Sequence, residues 1–280
     1  AKISFPGGCE LGPRPIDLHL SAMNKMGVKI KEEYGFLVCE CPDGLKGADI
    51  VLSFPSVGAT ENVMLAASKA DGTTTITNAA KEPEIEDLQN YLNKMGANIK
   101  GAGTGVICIE GVKKLHGVEH SVIPDRIAAA TYLIAAAATG GKILLTDVKA
   151  KHLSSILSIL QETGCLVNAN DNYIVLEAVK RPQAVKMLRT MPYPGFPTDV
   201  QSPLMALMSI ANGSTVFVET IFENRYKHAG ELQRMGAKIK VEGRVAIVEG
   251  VNRLTGTTVE ATDLRGGASL IIAGLSAKNT

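Results

Sequence analysis

The feature of this 280-residue chain that most constrains its fold is an internal repeat. Four segments share a pattern of apolar residues that leads to a glycine and then to a run rich in β-branched residues. The four glycines are Gly27, Gly96, Gly164 and Gly236, which are 69, 68 and 72 residues apart. A fixed period of this length predicts that one supersecondary unit of about seventy residues is repeated four times.

The pattern around each glycine predicts a helix, a left-handed turn and a strand, because a glycine just after a helix supplies the positive φ that ends it. A glycine turn and a further strand are expected to follow, as at 111–115 and 250–254. A second, Ala-rich helix comes next, at 126–139 and 204–211, and then a strand such as 142–146. Helices this apolar are expected to be buried on most sides, so the pattern favours helices enclosed by sheets.

Each second helix is preceded by a short polar corner. The corners are Pro55–Gly58, Pro124–Arg126, Pro197–Asp199 and Thr262–Arg265. If the repeats are arranged symmetrically, several helix N-termini converge and their free N–H groups form an anion site. The alternative is that the polar residues of the corners merely cap their own helices; these residues are Ser56, Asp125, Asp199 and Asp263. Arg126 and Arg265 favour anion binding at two of the corners.

Composition excludes several classes of protein. A formal net charge of +1 gives no sequence-wide basic surface, so nucleic acid is not an expected partner. The longest apolar run, 127–139, is too short to span a membrane. Five cysteines without a C-x-x-C pair argue against a disulfide framework or a zinc site, and favour the cytoplasm. A Rossmann domain and a phosphate loop are disfavoured because neither glycine signature is present.

A loop rich in glycine and proline carries a candidate reactive cysteine. Residues 6–15 contain three glycines and three prolines around Cys9, which is five residues from Arg14. A thiol on an exposed loop near a guanidinium group is readily ionised and therefore reactive. An incidental loop cysteine is the alternative that the residues alone leave open.

Seven motifs, in order along the chain, resemble those of the UDP-N-acetylglucosamine enolpyruvyl transferase family. They are the cysteine loop 6–19, Ser56–Thr60, Ala80–Ile85, Pro124–Arg126, Phe196–Asp199, Phe222–Arg225 and Ala261–Arg265. The resemblance runs along the whole chain and is specific, because seven separate motifs match in the same order.

The resemblance implies an α/β fold, the inside-out α/β barrel or inverse α/β prism, with two domains of three repeats each. Only four of those six repeats are expected here. Residues 1–123 would then be part of the catalytic domain that carries the cysteine loop, and residues 124–280 part of the second domain. The chain starts inside a strand-like run and stops just after a predicted helix, so we expect a piece of a longer chain.

The resemblance also implies a reaction. The enolpyruvyl group of phosphoenolpyruvate is transferred to the 3′-hydroxyl of UDP-N-acetylglucosamine, and phosphate is released, in the first committed step of peptidoglycan synthesis. No cofactor and no metal are implied, the expected location is cytoplasmic, and the expected state is a monomer.

Roles follow residue by residue from the same resemblance. Cys9 acts at C3 of phosphoenolpyruvate or forms a covalent adduct, and is the target of fosfomycin. Asp199 is the base near the sugar hydroxyl, and the anionic groups are held by Arg14, Arg225 and Arg265. The remaining substrate-binding residues are Pro15, Asp17 and Leu18 at the uracil, Ser56, Val57 and Gly58 at the diphosphate, Glu82, Asp125 and Arg126 near the sugar or in a closed-state network, Phe222 and Asp263 in the cleft, and His19, Thr198 and Ile221.

Two departures from the family and three alternatives remain. Several cations of the family site lie outside this chain, so the chain alone is expected to be inactive. Phe54 and Pro55 stand before Ser56 where some members carry a lysine. The first alternative is 5-enolpyruvylshikimate-3-phosphate synthase, which shares the fold but lacks the cysteine loop. The others are a truncated copy that binds nucleotide-sugar without turnover, and a structural repeat protein with an unreactive Cys9.

Overall fold

The computed structural model describes residues 1–5 and 15–280. They form two compact units, one containing residues 1–5 and 15–123 and the other containing residues 124–280. Cys9 and Arg14, the two site residues predicted in the cysteine loop, lie outside the described residues.

The first unit contains three helices and seven strands. In chain order they are β1 (Lys2–Ser4), α1 (Asp17–Lys25), β2 (Lys29–Glu33), β3 (Phe36–Glu40), β4 (Asp49–Val51), α2 (Val57–Ala67), β5 (Thr73–Thr77), α3 (Pro83–Lys94), β6 (Asn98–Lys100) and β7 (Val106–Glu110). The strands form two sheets, with orders β1-β3-β2 and β4-β5-β7-β6.

The second unit contains five helices and nine strands, besides a short 3-10 helix at Ala150–Leu153. They are α4 (Arg126–Thr139), β8 (Lys142–Thr146), α5 (Ser154–Glu162), β9 (Leu166–Ala169), β10 (Tyr173–Glu177), β11 (Met187–Arg189), α6 (Thr198–Met208), β12 (Ser214–Val218), α7 (Lys227–Arg234), β13 (Lys238–Glu242), β14 (Val245–Glu249), β15 (Leu254–Thr255), α8 (Leu264–Ser276) and β16 (Ala277–Lys278). Their sheet orders are β8-β10-β9, β11-β12-β14-β13 and β15-β16.

The repeated unit is a βαβαββ motif. It is complete twice, from β4 to β7 and from β11 to β14, and in both copies the first two strands pair in parallel while the others pair antiparallel. The copy from α4 to β10 lacks only the first strand. The elements β1 to β3 match the second half of a unit, and the parallel pair β15–β16 with α8 matches the first half.

The four repeat glycines act as their spacing predicts. Gly27, Gly96, Gly164 and Gly236 follow the ends of α1, α3, α5 and α7, and their φ angles lie between 93° and 98°. In each repeat one residue separates the glycine from the next strand. This part of the sequence prediction is confirmed.

Two predicted element boundaries are wrong. The glycines of 111–115 and 250–254 do not form hairpin turns, because the second hairpin strands, β7 and β14, end just before them. A Cβ on Gly111 would lie 1.7 Å from the carbonyl oxygen of Ala70, and one on Gly250 would lie 1.9 Å from that of Ala211. Glycine is therefore needed at both positions, because two backbone segments approach closely where the chain leaves the sheet.

The helix predicted at 204–211 begins six residues earlier, at Thr198, and ends at Met208. Pro203, directly before the predicted start, lies inside α6. Proline has no N–H to donate to the carbonyl four residues earlier, which belongs to Asp199. Burial along the whole helix overrides this cost, since every residue from Val200 to Met208 is buried.

The core of the second unit is built on α4, α6 and α8. These three helices contact one another, and each packs on its own sheet: α4 on β8 and β10, α6 on β12 and β14, and α8 on β15 and β16. The apolar helices are therefore enclosed by sheets, and this arrangement fixes their N-terminal ends relative to one another. In the first unit α2 is packed in the same way between α1, α3 and the sheet that contains β5 and β7.

A pair of glycines in one repeat tests the role of the left-handed turn. Gly236→Ala is expected to lower the free energy of unfolding by about 1–2 kcal/mol, because a Cβ is strained at its φ of 93° although no atom lies within 4 Å of it. Gly230→Ala, in the exposed interior of α7, is the matched control and is expected to raise stability by about 0.5–1 kcal/mol. Urea unfolding measures both, and equal effects from the two substitutions would contradict the assignment.

Candidate active site

The ends of α6 and α8 bring three predicted site residues together. Asp199, in the first turn of α6, accepts hydrogen bonds at Oδ1 from Arg225 Nη2 and Arg265 Nε, both at 3.1 Å. Arg225 also donates to the carbonyl oxygen of Thr198 at 3.2 Å. Its side chain is 2% exposed, whereas Asp199 is 42% exposed. The carboxylate is therefore held in place by two cations and still faces solvent.

The four polar corners do not behave alike. Ser56, Asp125 and Asp263 cap α2, α4 and α8, and accept hydrogen bonds from first-turn N–H groups at distances between 2.8 and 3.3 Å. The N-cap of α6 is Pro197, which has no side-chain cap, and Asp199 makes no capping bond. Capping is thus observed at three corners, and Asp199 is the corner residue whose carboxylate instead accepts from arginines.

A buried polar cluster lies behind this arrangement. A Cβ placed on Gly266 would lie 2.6 Å from Asp263 Oδ2 and 3.2 Å from His228 Cβ, so a side chain here would displace the cap carboxylate and press on α7. Asp263 Oδ2, Arg225 Nε and both ring nitrogens of His228 are buried, and among the described residues none has a hydrogen-bond partner of good geometry.

His228 is neutral in this environment. Its side chain is on α7 and is 1% exposed. Burial lowers the pKa of His228 to about 4; the carboxylate of Asp263 opposes the shift, and the guanidinium of Arg225 adds to it. A second positive charge beside Arg225 is therefore avoided at neutral pH.

The other predicted residues of the second unit surround the same helix ends. Thr198, Ile221 and Phe222 each donate a hydrogen bond to the carboxylate of one buried residue, Glu219. The guanidinium of Arg225 lies over the Phe222 ring, 5.5 Å from its centroid. These contacts join the loop after β12 to the first turn of α6.

Arg126 begins α4, directly after the cap Asp125, and is buried. Its guanidinium lies 5.5 Å from the centroid of the Tyr193 ring, in the segment between β11 and α6. An arginine stacked on an aromatic ring keeps its in-plane N–H groups available for other acceptors.

A second group of predicted residues lies in the first unit. His19, on α1, is adjacent to the N-terminal turn of α2: a Cβ on Gly58 would lie 3.3 Å from its ring, and its Nδ1 is 2.6 Å from Asn62 Nδ2. Burial lowers the pKa of His19, and nearby Asp17 opposes the shift. Asp17 and Leu18 open α1, while Ser56, Val57 and Gly58 open α2, so the predicted uracil and diphosphate residues are neighbours.

The segment that contains Glu82 is tied to this turn. The hydroxyl of Thr60 donates to the carbonyl of Ser56 at 2.8 Å and accepts from the Ala80 N–H at 3.1 Å. Glu82 is buried at the start of α3. Burial, and then the nearby carboxylates of Glu84 and Glu82, raise the pKa of Glu61 on α2. Three carboxyl groups therefore lie close together between α2 and the start of α3.

Sequence reasoning missed Glu219 and His228. The signal for Glu219 is a lone carboxylate directly after the strand pattern of 214–218, and the signal for His228 is its place on the apolar face of a short helix. Neither pattern distinguishes a structural residue from a functional one, so the structure was needed to find them.

No group of three or more His, Cys, Asp or Glu side chains in residues 1–5 and 15–280 is arranged to hold a metal ion. Over the same residues, no helix has the length and apolar character needed to cross a membrane.

The buried histidine makes stability depend on pH. The pKa of His228 is lower in the folded state than its usual 6.5, so the unfolded chain binds the proton more tightly. Stability from this group is fully present above about pH 6.5 and is lost as the pH falls toward 4, a change of about 3 kcal/mol.

Urea unfolding between pH 7.5 and pH 4 measures this dependence. His228→Leu is expected to flatten the slope, because leucine binds no proton in either the folded or the unfolded state. The control, His116→Leu at an exposed histidine, is expected to keep the wild-type slope. An unchanged slope in His228→Leu would show that other groups cause the dependence.

Comparison with known proteins places this geometry in a family. The family model described as EPSP synthase (3-phosphoshikimate 1-carboxyvinyltransferase) matches residues 1–280. UDP-N-acetylglucosamine 1-carboxyvinyltransferase 2 of Caldanaerobacter subterraneus subsp. tengcongensis is 57% identical over the whole chain, which covers 67% of that protein. The corresponding protein of Granulibacter bethesdensis is 52% identical over 99% of the chain, which covers 66% of it. The chain thus spans about two thirds of the length of these relatives.

Solved structures agree on the fold. The enolpyruvyl transferase NikO from Streptomyces tendae matches 99% of the chain, and 66% of its own, with a TM-score of 0.86 and 25% identity. An EPSP synthase from Acinetobacter baumannii matches 94% of the chain, and 65% of its own, with a TM-score of 0.68 and 21% identity. The predicted α/β fold of repeated units is confirmed, and the chain belongs to the EPSP synthase family of enolpyruvyl (carboxyvinyl) transferases.

Proposed function

We propose that this chain supplies most of a UDP-N-acetylglucosamine 1-carboxyvinyltransferase, which makes the first committed precursor of peptidoglycan. The observation that carries the proposal is the carboxylate of Asp199, held by Arg225 and Arg265. It occurs in a chain to which relatives of that name are 49–57% identical. An accessible carboxylate beside fixed cations suits a reaction in which a hydroxyl loses a proton next to a dianionic phosphate.

The proposed reaction is an addition followed by an elimination. A proton is added to C3 of phosphoenolpyruvate, and the 3′-hydroxyl oxygen of UDP-N-acetylglucosamine bonds to C2 of that group. A base takes the hydroxyl proton. The bond from C2 to the phosphate oxygen then breaks, C3 loses a proton, and the products are inorganic phosphate and the enolpyruvyl ether.

Asp199 is proposed as the base that takes the hydroxyl proton. Both arginines bind Oδ1, and Oδ2 accepts no hydrogen bond from the part of the chain that the structure describes. One oxygen is thus used for positioning and the other is available to the sugar hydroxyl. A base fixed in this way avoids part of the entropic cost of bringing the two groups together.

Arg225 and Arg265 are proposed to hold the phosphate and carboxylate of phosphoenolpyruvate, together with Arg14 of the cysteine loop. Cys9 is proposed to act at C3 or to form an adduct there. If the family's further cations lie beyond this chain, several charge-assisted bonds to phosphate are lacking. Each is worth about 1.5–3 kcal/mol, so the 280-residue chain alone is expected to be inactive.

The first unit is proposed to bind the nucleotide. The N-terminus of α2, with Ser56, Val57 and Gly58, offers free N–H groups to a diphosphate. His19 and the residues that open α1 would lie near the uracil; these are Pro15, Asp17 and Leu18. Glu82, Asp125 and Arg126 are proposed to contact the sugar or to order the closed state, and Thr198, Ile221, Phe222 and Asp263 to complete the site.

Restoring the remaining third of the enzyme tests the function. In a chimera, these 280 residues replace the matching segment of the Caldanaerobacter relative. We expect phosphate release from phosphoenolpyruvate with UDP-N-acetylglucosamine and none with shikimate 3-phosphate, while the 280-residue chain releases none. Release only with shikimate 3-phosphate would overturn the acceptor, and nucleotide-sugar binding without phosphate release would favour a non-catalytic copy.

Asp199→Asn in the chimera tests the base. We expect kcat to fall by a factor of about 100 to 10,000, because general-base catalysis contributes roughly that much. Asp171→Asn, an exposed carboxylate in the turn between β9 and β10, is the control and should leave kcat unchanged. A fall of less than threefold in Asp199→Asn would assign the base elsewhere.

Fosfomycin tests the reactive cysteine. Mass spectrometry of the chimera, with any cysteine of the relative's own segments changed to serine, is expected to find the adduct on Cys9. The other four cysteines of this chain are internal controls: Cys108 is exposed, Cys39 and Cys41 are half-buried, and Cys165 is buried. Equal labelling of Cys9 and Cys108 would show that accessibility alone decides the reaction.

The proposed enzyme is cytoplasmic and monomeric, since its substrates are cytoplasmic metabolites and each unit has its own buried core. Size-exclusion chromatography with light scattering measures the oligomeric state of the chain.

A further inference from the structure

One buried carboxylate of the second unit has no place in the reaction proposed above. Glu219 directly follows β12 and is 1% exposed. Burying an ionised carboxylate is costly unless hydrogen bonds replace its contacts with water. The hydrogen-bond partners of Glu219 therefore indicate what the buried carboxylate does.

Four donors surround this carboxylate. Oε1 accepts from the Thr190 hydroxyl at 3.0 Å and from the N–H groups of Ile221 and Phe222 at 2.8 and 3.1 Å. Oε2 accepts from the Thr198 hydroxyl at 3.0 Å. Oε1 must be an acceptor, because the two N–H groups that it meets are fixed by the backbone.

The donors belong to three separate segments. Thr190 follows β11, Thr198 is the first residue of α6, and Ile221 and Phe222 lie in the loop that leads to Arg225. Thr190 and Thr220 are also joined by two hydrogen bonds, at 2.6 and 2.8 Å. Glu219 thus links the start of α6 to the loop that carries Arg225.

Thr198 is held from both sides. Its hydroxyl donates to Glu219, and its carbonyl oxygen accepts from Arg225 at 3.2 Å. The same guanidinium reaches the neighbouring residue, Asp199. Any shift of the loop relative to α6 would change both of the distances from Arg225.

We propose that Glu219 is a positioning residue, which sets the contact between Arg225 and Asp199 by holding the loop 220–225 against the first turn of α6. Its effect on catalysis rests on the proposed function, whereas its effect on the Arg225–Asp199 contact does not. A purely structural Glu219 would stabilise the unit without affecting that contact.

A double-mutant cycle on the 280-residue chain separates these two roles and needs no substrate. Asp199→Asn, Arg225→Met and the double variant give the coupling between the two residues, expressed as a factor in the unfolding equilibrium constant. We expect a coupling on the order of tenfold, which falls below about twofold when the cycle is repeated with Glu219→Met. Methionine has a similar length but removes both acceptor oxygens.

Two further variants complete the test. Glu249→Met makes the same chemical change at an exposed residue of β14 and should leave the coupling intact. Thr198→Val removes only the bond to Oε2, so it should weaken the coupling even if Glu219→Met does not fold. Full coupling in either folded variant would overturn the proposal, as would loss of folding in both, which would make Glu219 a requirement of the fold.

Discussion

The burial of α6 is the constraint on which the second unit depends. This helix is buried along its whole length from Val200 to Met208 and is enclosed by α4, α8 and the sheet of β12 and β14. A helix in this position cannot slide without opening cavities in a close-packed core. The first turn of α6 reaches the surface of that core. Thr198 and Asp199 are therefore held in place by packing that takes no direct part in chemistry.

Repetition explains how such a site arises from ordinary elements. Each repeat presents a polar corner and a helix N-terminus in the same place, and in three of the four the corner residue satisfies its own helix. In α6 the proline before the helix supplies no side-chain cap, so the carboxylate in the first turn is free to face Arg225 and Arg265. Because α6 has no side-chain cap, its corner residue Asp199 is available for chemistry instead of helix capping.

The sequence predicts the repeat, the left-handed glycines and the approximate helices, because backbone geometry and apolar spacing are local properties. It misplaces the start of α6, which extends through Pro203 because burial offsets the missing backbone hydrogen bond. The resemblance to a family assigns Asp199, Arg225 and Arg265 to one site, but the contact of Asp199 with residues 26 and 66 positions later was not predicted. Glu219 and His228 are not predicted at all, because their effect depends on partners from distant segments.

The charges near Arg225 show why the residues behind a site matter as much as those in it. The buried guanidinium has one carboxylate in front of it, Asp199, and the cap carboxylate Asp263 near the histidine of α7. A protonated His228 would add a second cation in the same low-dielectric region, where like charges repel strongly. Because His228 is neutral and Glu219 is fully hydrogen-bonded, Arg225 is the cation that faces Asp199 from the interior of the unit. Its charge is therefore directed to the surface where an anionic substrate would bind.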